Sequence, residues 1–344
     1  MGQFGITGRA ISAALVTLFL IGCTTHPGAV RLDQPKTADA GATASQSTAA
    51  DPNNGPARDR DKLRVMSFNL RTSTVFDLHN TWGLRKALLV KSIQTYRPDL
   101  LGTQECQWQQ ARYLRRHLPG YGFVGAGRSD GQKAGEMVAL FYRKDRFRCE
   151  QRGHFWLSDE PGQPGSETWD GLLPRMVSWA RLTRRATGQT LYLFNTHFSA
   201  FGAGARRKSA RLLSRRVNQI AGRAPVIVTG DFNAGEHSKP YNIMVSRSDQ
   251  AGAIASTTPR LVDTFRDVFP KRQANLGTLH GFDGHADSNR IDWILASPRF
   301  NPVSASIKRY HDDGRYPSDH FPVTAVLHWS GSTAKAGEEA RDRS

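Results

Sequence analysis

At 344 residues, with 38% hydrophobic and 22% charged positions, the chain has the apolar material for a sizeable core and room for one large or two medium domains. Its formal charge of +17 favours anionic partners such as phosphoesters, nucleic acids or anionic head groups, and raises encounter rates more than it sets specificity. No internal repeat stands out, the cysteines are too few to argue for a disulfide, and only one stretch is apolar enough to engage a membrane.

That stretch, residues 10–21, follows Arg9, is short for a spanning helix and ends in small residues, the build of a secretory signal. It closes in Leu20-Ile21-Gly22-Cys23, which resembles the bacterial lipobox, where the cysteine becomes the lipidated first residue; an uncleaved anchor with an incidental Cys23 is the alternative. On the lipobox reading, residues 1–22 are a lipoprotein signal and Cys23 is the lipidation site and the one membrane contact. The protein would then sit on an extracytoplasmic face, periplasmic or cell-surface. Residues 24–60 turn to Ala, Thr, Ser, Gly, Pro and Asp, which cannot bury enough surface to fold, so 23–61 is expected as a tether and 331–344 as a disordered tail. Of the formal charge, +16 falls on residues 61–330. Cys106 and Cys149 are expected as reduced thiols.

Next, "KLRVMSFNLR" has the apolar density of a buried strand and stops at Asn69. A helix is predicted from Thr81 to about Tyr96 on the spacing of Leu89, Ile93 and Tyr96, with Pro98 marking its end. "PDLLGTQE" is a short strand ending at Glu105, and Ala111, Leu114 and Leu118 share a helical face. "MVALFYRKDRF" and "MVSWARLTRR" read as strands, the second setting Val177, Trp179 and Arg181 against smaller or polar neighbours. "TLYLFNTHFSA" ends at Asn195 and His197, "APVIVTGDFNA" at Asp231 and Asn233, and "RIDWILAS" begins with Asp292. The intervening "RRKSARLLSRRVNQIAGR" puts Leu213, Val217 and Ile220 on one helical face and Arg207, Arg211 and Arg215 on another, either a solvated outer face or a nucleic-acid ridge. Last, "YPSDHFPVTAVLHW" sets Asp319 and His320 before a strand with Val323, Ala325 and Leu327 on one face. These two residues either cap a turn or belong to a site assembled elsewhere.

Six strands thus carry carboxylate, amide or imidazole groups at one end, the usual way an active site is presented over a rigid sheet. Glu105 and Asp319 are hard oxygen ligands suited to magnesium or manganese, which accept phosphate oxygens as further ligands. HExxH, paired CxxC and DxDxDG are all missing, so zinc-protease, zinc-ribbon and EF-hand readings have no support. A phosphoester needs an activated water, neutralised phosphoryl charge and help for the departing oxygen, and carboxylate, metal and imidazolium supply these.

Together "VMSFNL", "LLGTQE", "NTHF", "VTGDFNA", "RIDWIL" and "YPSDHFPV" resemble the endonuclease/exonuclease/phosphatase superfamily, over about residues 62–329 and in the family's order. The resemblance implies a single globular α/β domain at 62–330, a DNase I-like four-layer α/β/β/α sandwich. It implies a phosphoester hydrolase using Mg2+ or Mn2+, with Glu105 as the main metal ligand and Asn69 and Asp319 close to the metal. Asp231 would deprotonate the attacking water, Asn233 would hold a phosphoryl oxygen, Asp292 would orient His320, and His320 would stabilise phosphoryl charge. His197 would contact the phosphate or leaving group. Arg175 in "LPRMVSW" is either a two-point phosphate clamp or a surface strand residue, and Asn195 is expected to satisfy turn amides. The substrate is left among nucleic acid, phospholipid and sugar phosphate, the molecule is expected as a monomer, and an extracytoplasmic nuclease and a non-catalytic phosphate-ligand-binding member stand as alternatives.

Overall fold

The computed structural model describes residues 62–245, 261–271, 275–286 and 289–329; the expected signal, Cys23, tether and tail lie outside the described residues. β1 (Lys62–Asn69) and β2 (Leu100–Cys106) run parallel, joined through a 3-10 turn (Val75–Asn80) and α1 (Trp82–Tyr96). A parallel pair requires such a crossover because both strands enter from the same end. Then come α2 (Trp108–His117), β3 (Tyr121–Val124), β4 (Met137–Arg143), β5 (Phe147–Trp156) and β6 (Met176–Arg184). A second parallel pair, β7 (Thr190–His197) and β8 (Val226–Asp231), is linked by α3 (Ala203–Ala221). The remaining elements are α4 (Lys239–Val245), β9 (Val262–Asp263), α5 (Thr264–Val268), β10 (Asp292–Ala296), β11 (Phe300–Ile307) and β12 (Val323–Trp329).

These strands form two six-stranded sheets, ordered β11-β12-β1-β2-β4-β3 and β5-β6-β7-β8-β10-β9. Between them Leu63, Val65, Leu100 and Leu140 of the first sheet share one cluster with Ala180, Leu182, Leu193, Ile227 and Ile294 of the second. The outer face of the first sheet, with Met66, Phe68 and Leu101, is covered by Leu89 and Ile93 of α1 and Ala111 and Leu114 of α2. Val177, Phe194 and Val228 on the other outer face lie under Leu213 and Val217 of α3. Each fully buried Leu, Ile or Val contributes about 1.5–3 kcal/mol. The result is the α/β/β/α sandwich expected, and strands covered on both faces read as the continuous apolar runs seen in the sequence.

Three local readings differ. "MVALFYRKDRF" is not one strand: it turns after Arg143, and Phe147 opens β5 in the opposite sheet. In β6 the face with the smaller neighbours, Ala180 and Leu182, fills the centre between the sheets, while Val177 and Trp179 pack under the helical layer. β2 runs one residue past Glu105, to Cys106. Cys106 and Cys149 are free, as expected. Among the described residues no helix is long and apolar enough to cross a membrane.

Candidate active site

The topology explains why the polar side chains meet. The four parallel-paired strands β1, β2, β7 and β8 all finish at one edge, delivering Asn69, Glu105, His197 and Asp231, while antiparallel β10 and β12 begin there with Asp292 and, just ahead of β12, Asp319 and His320. Register places Asp231 opposite both His197 and Asp292.

Asn69 spans the two sheets: its Nδ2 donates to Glu105 Oε1 and to Asp231 Oδ2, each at 3.0 Å. Its Oδ1 accepts from Arg71 N at 2.9 Å. Glu105 has φ +57, in the left-handed region, and the β2–β4 register shifts between Thr103 and Cys106. Such a bulge re-aims a side chain at the cost of backbone strain, a combination concentrated at functional sites. Glu105 Oε2 accepts from Thr72 N at 2.9 Å. Asn233, also left-handed at φ +47, donates its backbone N–H to Asp231 Oδ1 at 2.9 Å. Its side-chain Nδ2 lies 3.0 Å from His197 Nε2 and donates to Phe198 O. His320 Nδ1 is 2.9 Å from Asp292 Oδ2, and His320 Nε2 lies 3.9 Å from Asp231 Oδ2. Asp319 Oδ2 is 3.6 Å from Arg71 Nη1, and Ser318 Oγ ties this loop to β1 by donating to Asn69 O at 2.6 Å.

Charge in this cluster is strongly shaped by its surroundings. Burial, reinforced by the charge of Asp292, lifts the Asp231 carboxyl to about 7 against the pull of His320, the Asn233 amide and Asn69. Burial also raises Asp319, aided by Glu105. Glu105 goes the other way: burial works against its ionisation, but the Thr72 amide, Asn69 and the charges of His320 and Arg71 outweigh it. For His320, burial opposes protonation and Asp292 overrides it, keeping the imidazole protonated well above its usual range. His197 is pushed well below its usual range by burial and by Arg175, Arg128 and His320, so it is a neutral imidazole.

The donor set can be tested against a divalent cation. Glu105 and Asp319 offer oxygens only, the choice of Mg2+ or Mn2+. Carboxylates gathered out of water, two of them lifted above their usual range, leave negative charge that a cation would offset. The residues therefore fit. Asn69, in this arrangement, turns its N–H groups to Glu105 and Asp231 and so would orient the carboxylates beside such a cation. Among the described residues Asp231, Asp292 and His320 also place three ligand-type atoms within 4.8 Å of one another. There the His320–Asp292 hydrogen bond and a protonated imidazole account for the closeness, and a cation would have to displace that proton.

Eight expected side chains thus converge: Asn69, Glu105, His197, Asp231, Asn233, Asp292, Asp319 and His320. Arg175, immediately before β6, is not a surface residue. It is 6% exposed, its Nε and Nη1 have no partner, and it lines a narrow pocket with Glu105, Arg128, Glu136 and His197. Asn195 does not serve turn amides. It is buried between the sheets, donating to Thr103 O and Ala139 O and accepting from Gln104 and Thr229. Arg71 and Thr72 escaped the motif reading although they directly follow "FNL", because one acts through a backbone N–H. Arg128 and Glu136, paired at 2.6 Å, lie in a Gly-rich loop outside the six family-like motifs.

The fold and this edge constellation define a two-sheet sandwich with one polar centre fed by both sheets. The chain belongs to the Endonuclease/Exonuclease/phosphatase family, whose model matches residues 66–320. A solved endonuclease/exonuclease/phosphatase of Bacteroides vulgatus is 32% identical, with a TM-score of 0.71 over 78% of this chain and 99% of that one. The mannosyl-6-phosphatase of Bacteroides thetaiotaomicron is 34% identical, with a TM-score of 0.68 over 77% of this chain and 99% of its own. Nocturnin of Drosophila melanogaster is 27% identical over 308 residues, covering 76% of this chain but 46% of nocturnin, so the chain spans about half the length of that curated relative.

Proposed function

We propose that the protein is a divalent-metal-dependent phosphoester hydrolase, held outside the cytoplasm by a lipid on Cys23. The observation that carries the hydrolase reading is the centre itself: Asp231, fixed by Asn69 and the Asn233 amide, faces a neutral His197 at 3.4 Å and the Asp292-held His320 at 3.9 Å. Its carboxyl, lifted to about 7, is matched to taking a proton from water near neutral pH. The water oxygen bonds to phosphorus, the bond from phosphorus to the alcohol oxygen breaks, one water proton passes to Asp231, and Asp231 then gives up that proton so that the departing alkoxide is released as alcohol.

Asn233 and His197 hold a phosphoryl oxygen, Arg175 binds another, and the protonated His320 sets positive charge against the phosphoryl group, kept in orientation by Asp292. Glu105 and Asp319, with Asn69 beside them, would hold Mg2+ or Mn2+. When bound, the ion supplies charge neutralisation for phosphoryl and leaving oxygens. The relatives support the reaction class through the names they carry, one of them a phosphatase.

The test is hydrolysis of p-nitrophenyl phosphate and bis-p-nitrophenyl phosphate with Mg2+ or Mn2+, abolished by EDTA. Asp231→Ala and His320→Ala are each expected to lower kcat by on the order of 10²-fold or more. Unchanged rates in both variants would sink the reading. Anchoring is checked separately by mass spectrometry of the membrane fraction, where an acylated Cys23 at the N-terminus is expected and a chain still starting at Met1 refutes it.

A further inference from the structure

Two cavities flank the centre, on opposite sides of Asp231 and His197 in the second sheet, and they differ in what they admit. On the β6 side, the Arg175 pocket holds about 10 Å³, roughly one water, between Glu105, Arg128, Glu136 and His197. Arg175 Nε and Nη1 are buried there without partners, although Arg128 is neutralised by Glu136 at 2.6 Å. A buried guanidinium left unpaired is costly unless an anion completes it, and its fork geometry matches phosphoryl oxygens. The space accepts an oxygen atom and no ester substituent.

On the β8–β10 side lies a cleft of about 360 Å³, walled by Asn233, Glu236, Ser238, Leu279, Asn289 and Ile291. It opens directly from the centre, since Asn233 touches His197 and Leu279 bridges to His320. Its polar groups are amides, a hydroxyl and a carboxylate. Glu236 is pinned there by Arg290 at 2.7 Å and by Arg266 at 2.5 Å, which fixes its lone pairs in place. Among the described lining residues there is no aromatic ring for stacking a base and no cation to track a polyanionic backbone, the two features of single-strand binding. Adjacent donors and acceptors with two aliphatic side chains suit a ring bearing several hydroxyls.

We propose that the substrate is the phosphomonoester of a polyhydroxylated alcohol, a sugar phosphate, with a phosphoryl oxygen in the Arg175 pocket and the sugar in the Asn233–Asn289 cleft. This rests on the phosphoester-hydrolase reading and adds the substrate class. With the Arg175 side of the phosphorus closed to all but oxygen, the Asn233–Asn289 cleft on the other side receives the ester arm. Water cleaves the bond between phosphorus and the sugar oxygen, releasing free sugar and inorganic phosphate.

The test compares three substrates with the full chain in Mg2+ or Mn2+: a hexose 6-phosphate, hexyl phosphate as an alkyl monoester without hydroxyls, and the methyl diester of the same hexose 6-phosphate. The hexose monoester is expected to exceed both others in kcat/KM by about 100-fold, because a site built to pair hydroxyls rejects analogues that leave its polar groups unpaired. Asn289→Leu, on an exposed loop, is expected to raise KM for the hexose monoester about tenfold and leave hexyl phosphate unchanged. Arg175→Lys is expected to lower kcat/KM for the monoester while retaining the fold. Equal rates for hexyl phosphate, or a preference for the methyl diester, overturn the substrate class and leave the hydrolase standing. No hydrolysis of any phosphoester, p-nitrophenyl phosphate included, overturns both.

Discussion

Asn195 lies inside the sequence "NTHF", two residues before His197, yet the structure makes it a fastener between the sheets. Its Nδ2 donates to Thr103 O at 2.8 Å and Ala139 O at 3.1 Å, and its Oδ1 accepts from Gln104 Nε2 at 2.7 Å and Thr229 Oγ1 at 3.0 Å. Replacing it by Leu keeps the volume and removes all four partners. At about 1 kcal/mol each for buried groups losing their partner, the change costs about 4 kcal/mol, less whatever Thr229 regains by its bond to Phe194 O. Urea unfolding of the full chain followed by tryptophan fluorescence is expected to show a lower midpoint at unchanged slope. At a temperature where the variant is folded, kcat should stay within about threefold of the parent, since Asn195 touches no substrate-facing group. A stability loss below about 1 kcal/mol, or a kcat loss on the order of 10² with stability intact, would refute the fastener assignment.

Further outcomes follow from the same geometry. Gly102→Ala is expected to cost about 2 kcal/mol or more, because a Cβ there would lie 2.0 Å from Thr229 Oγ1 and 2.7 Å from Asn195 Oδ1; thermal unfolding measures it, and a neutral result contradicts the sheet spacing. Asp292→Asn removes the charge that keeps His320 protonated, so kcat should drop by about 10² or more with the loss growing as pH rises, read from a pH–rate profile. His154, pushed down to about 4 by burial and the Arg152 charge, accepts its proton below the unfolded value of 6.5 only at a cost. Between pH 6.5 and 4 the unfolded chain therefore binds more protons, and stability falls as pH falls; allowing for partial solvent access, His154 accounts for about 1–2 kcal/mol of that loss. His154→Gln should flatten this limb in denaturation series run across the window, and an unchanged limb rejects it.

Much of the site could be read before any coordinates, because its side chains sit where apolar strands stop, and strand ends announce themselves by a switch from Val and Leu to Asn, Glu, Asp and His. Four parallel-paired strands ending and two antiparallel strands beginning at one edge turn that one-dimensional signal into a cluster. What stayed hidden depends on local geometry that composition does not encode. The bulge that aims Glu105 has no residue signature, since a left-handed glutamate looks like any other glutamate. β11 went unread because Pro302 interrupts a largely exposed edge strand, a place where proline is tolerated. Arg175 stayed undecided between a phosphate clamp and a surface position because nothing in "LPRMVSW" reveals that Arg128 and Glu136, some forty residues earlier, line a pocket with it.

The position of β12 has a consequence for how the protein comes into being. β12, the last described strand, is inserted between β11 and β1, and it brings Asp319 and His320 with it. The first sheet therefore cannot close around β1 until residues 323–329 have been made, a pairing of distant segments that is inherently slow. A chain still emerging, or one truncated ahead of residue 319, has Asp231 but not Asp319, His320 or β12, so the polar centre and the first sheet are completed in the same late step.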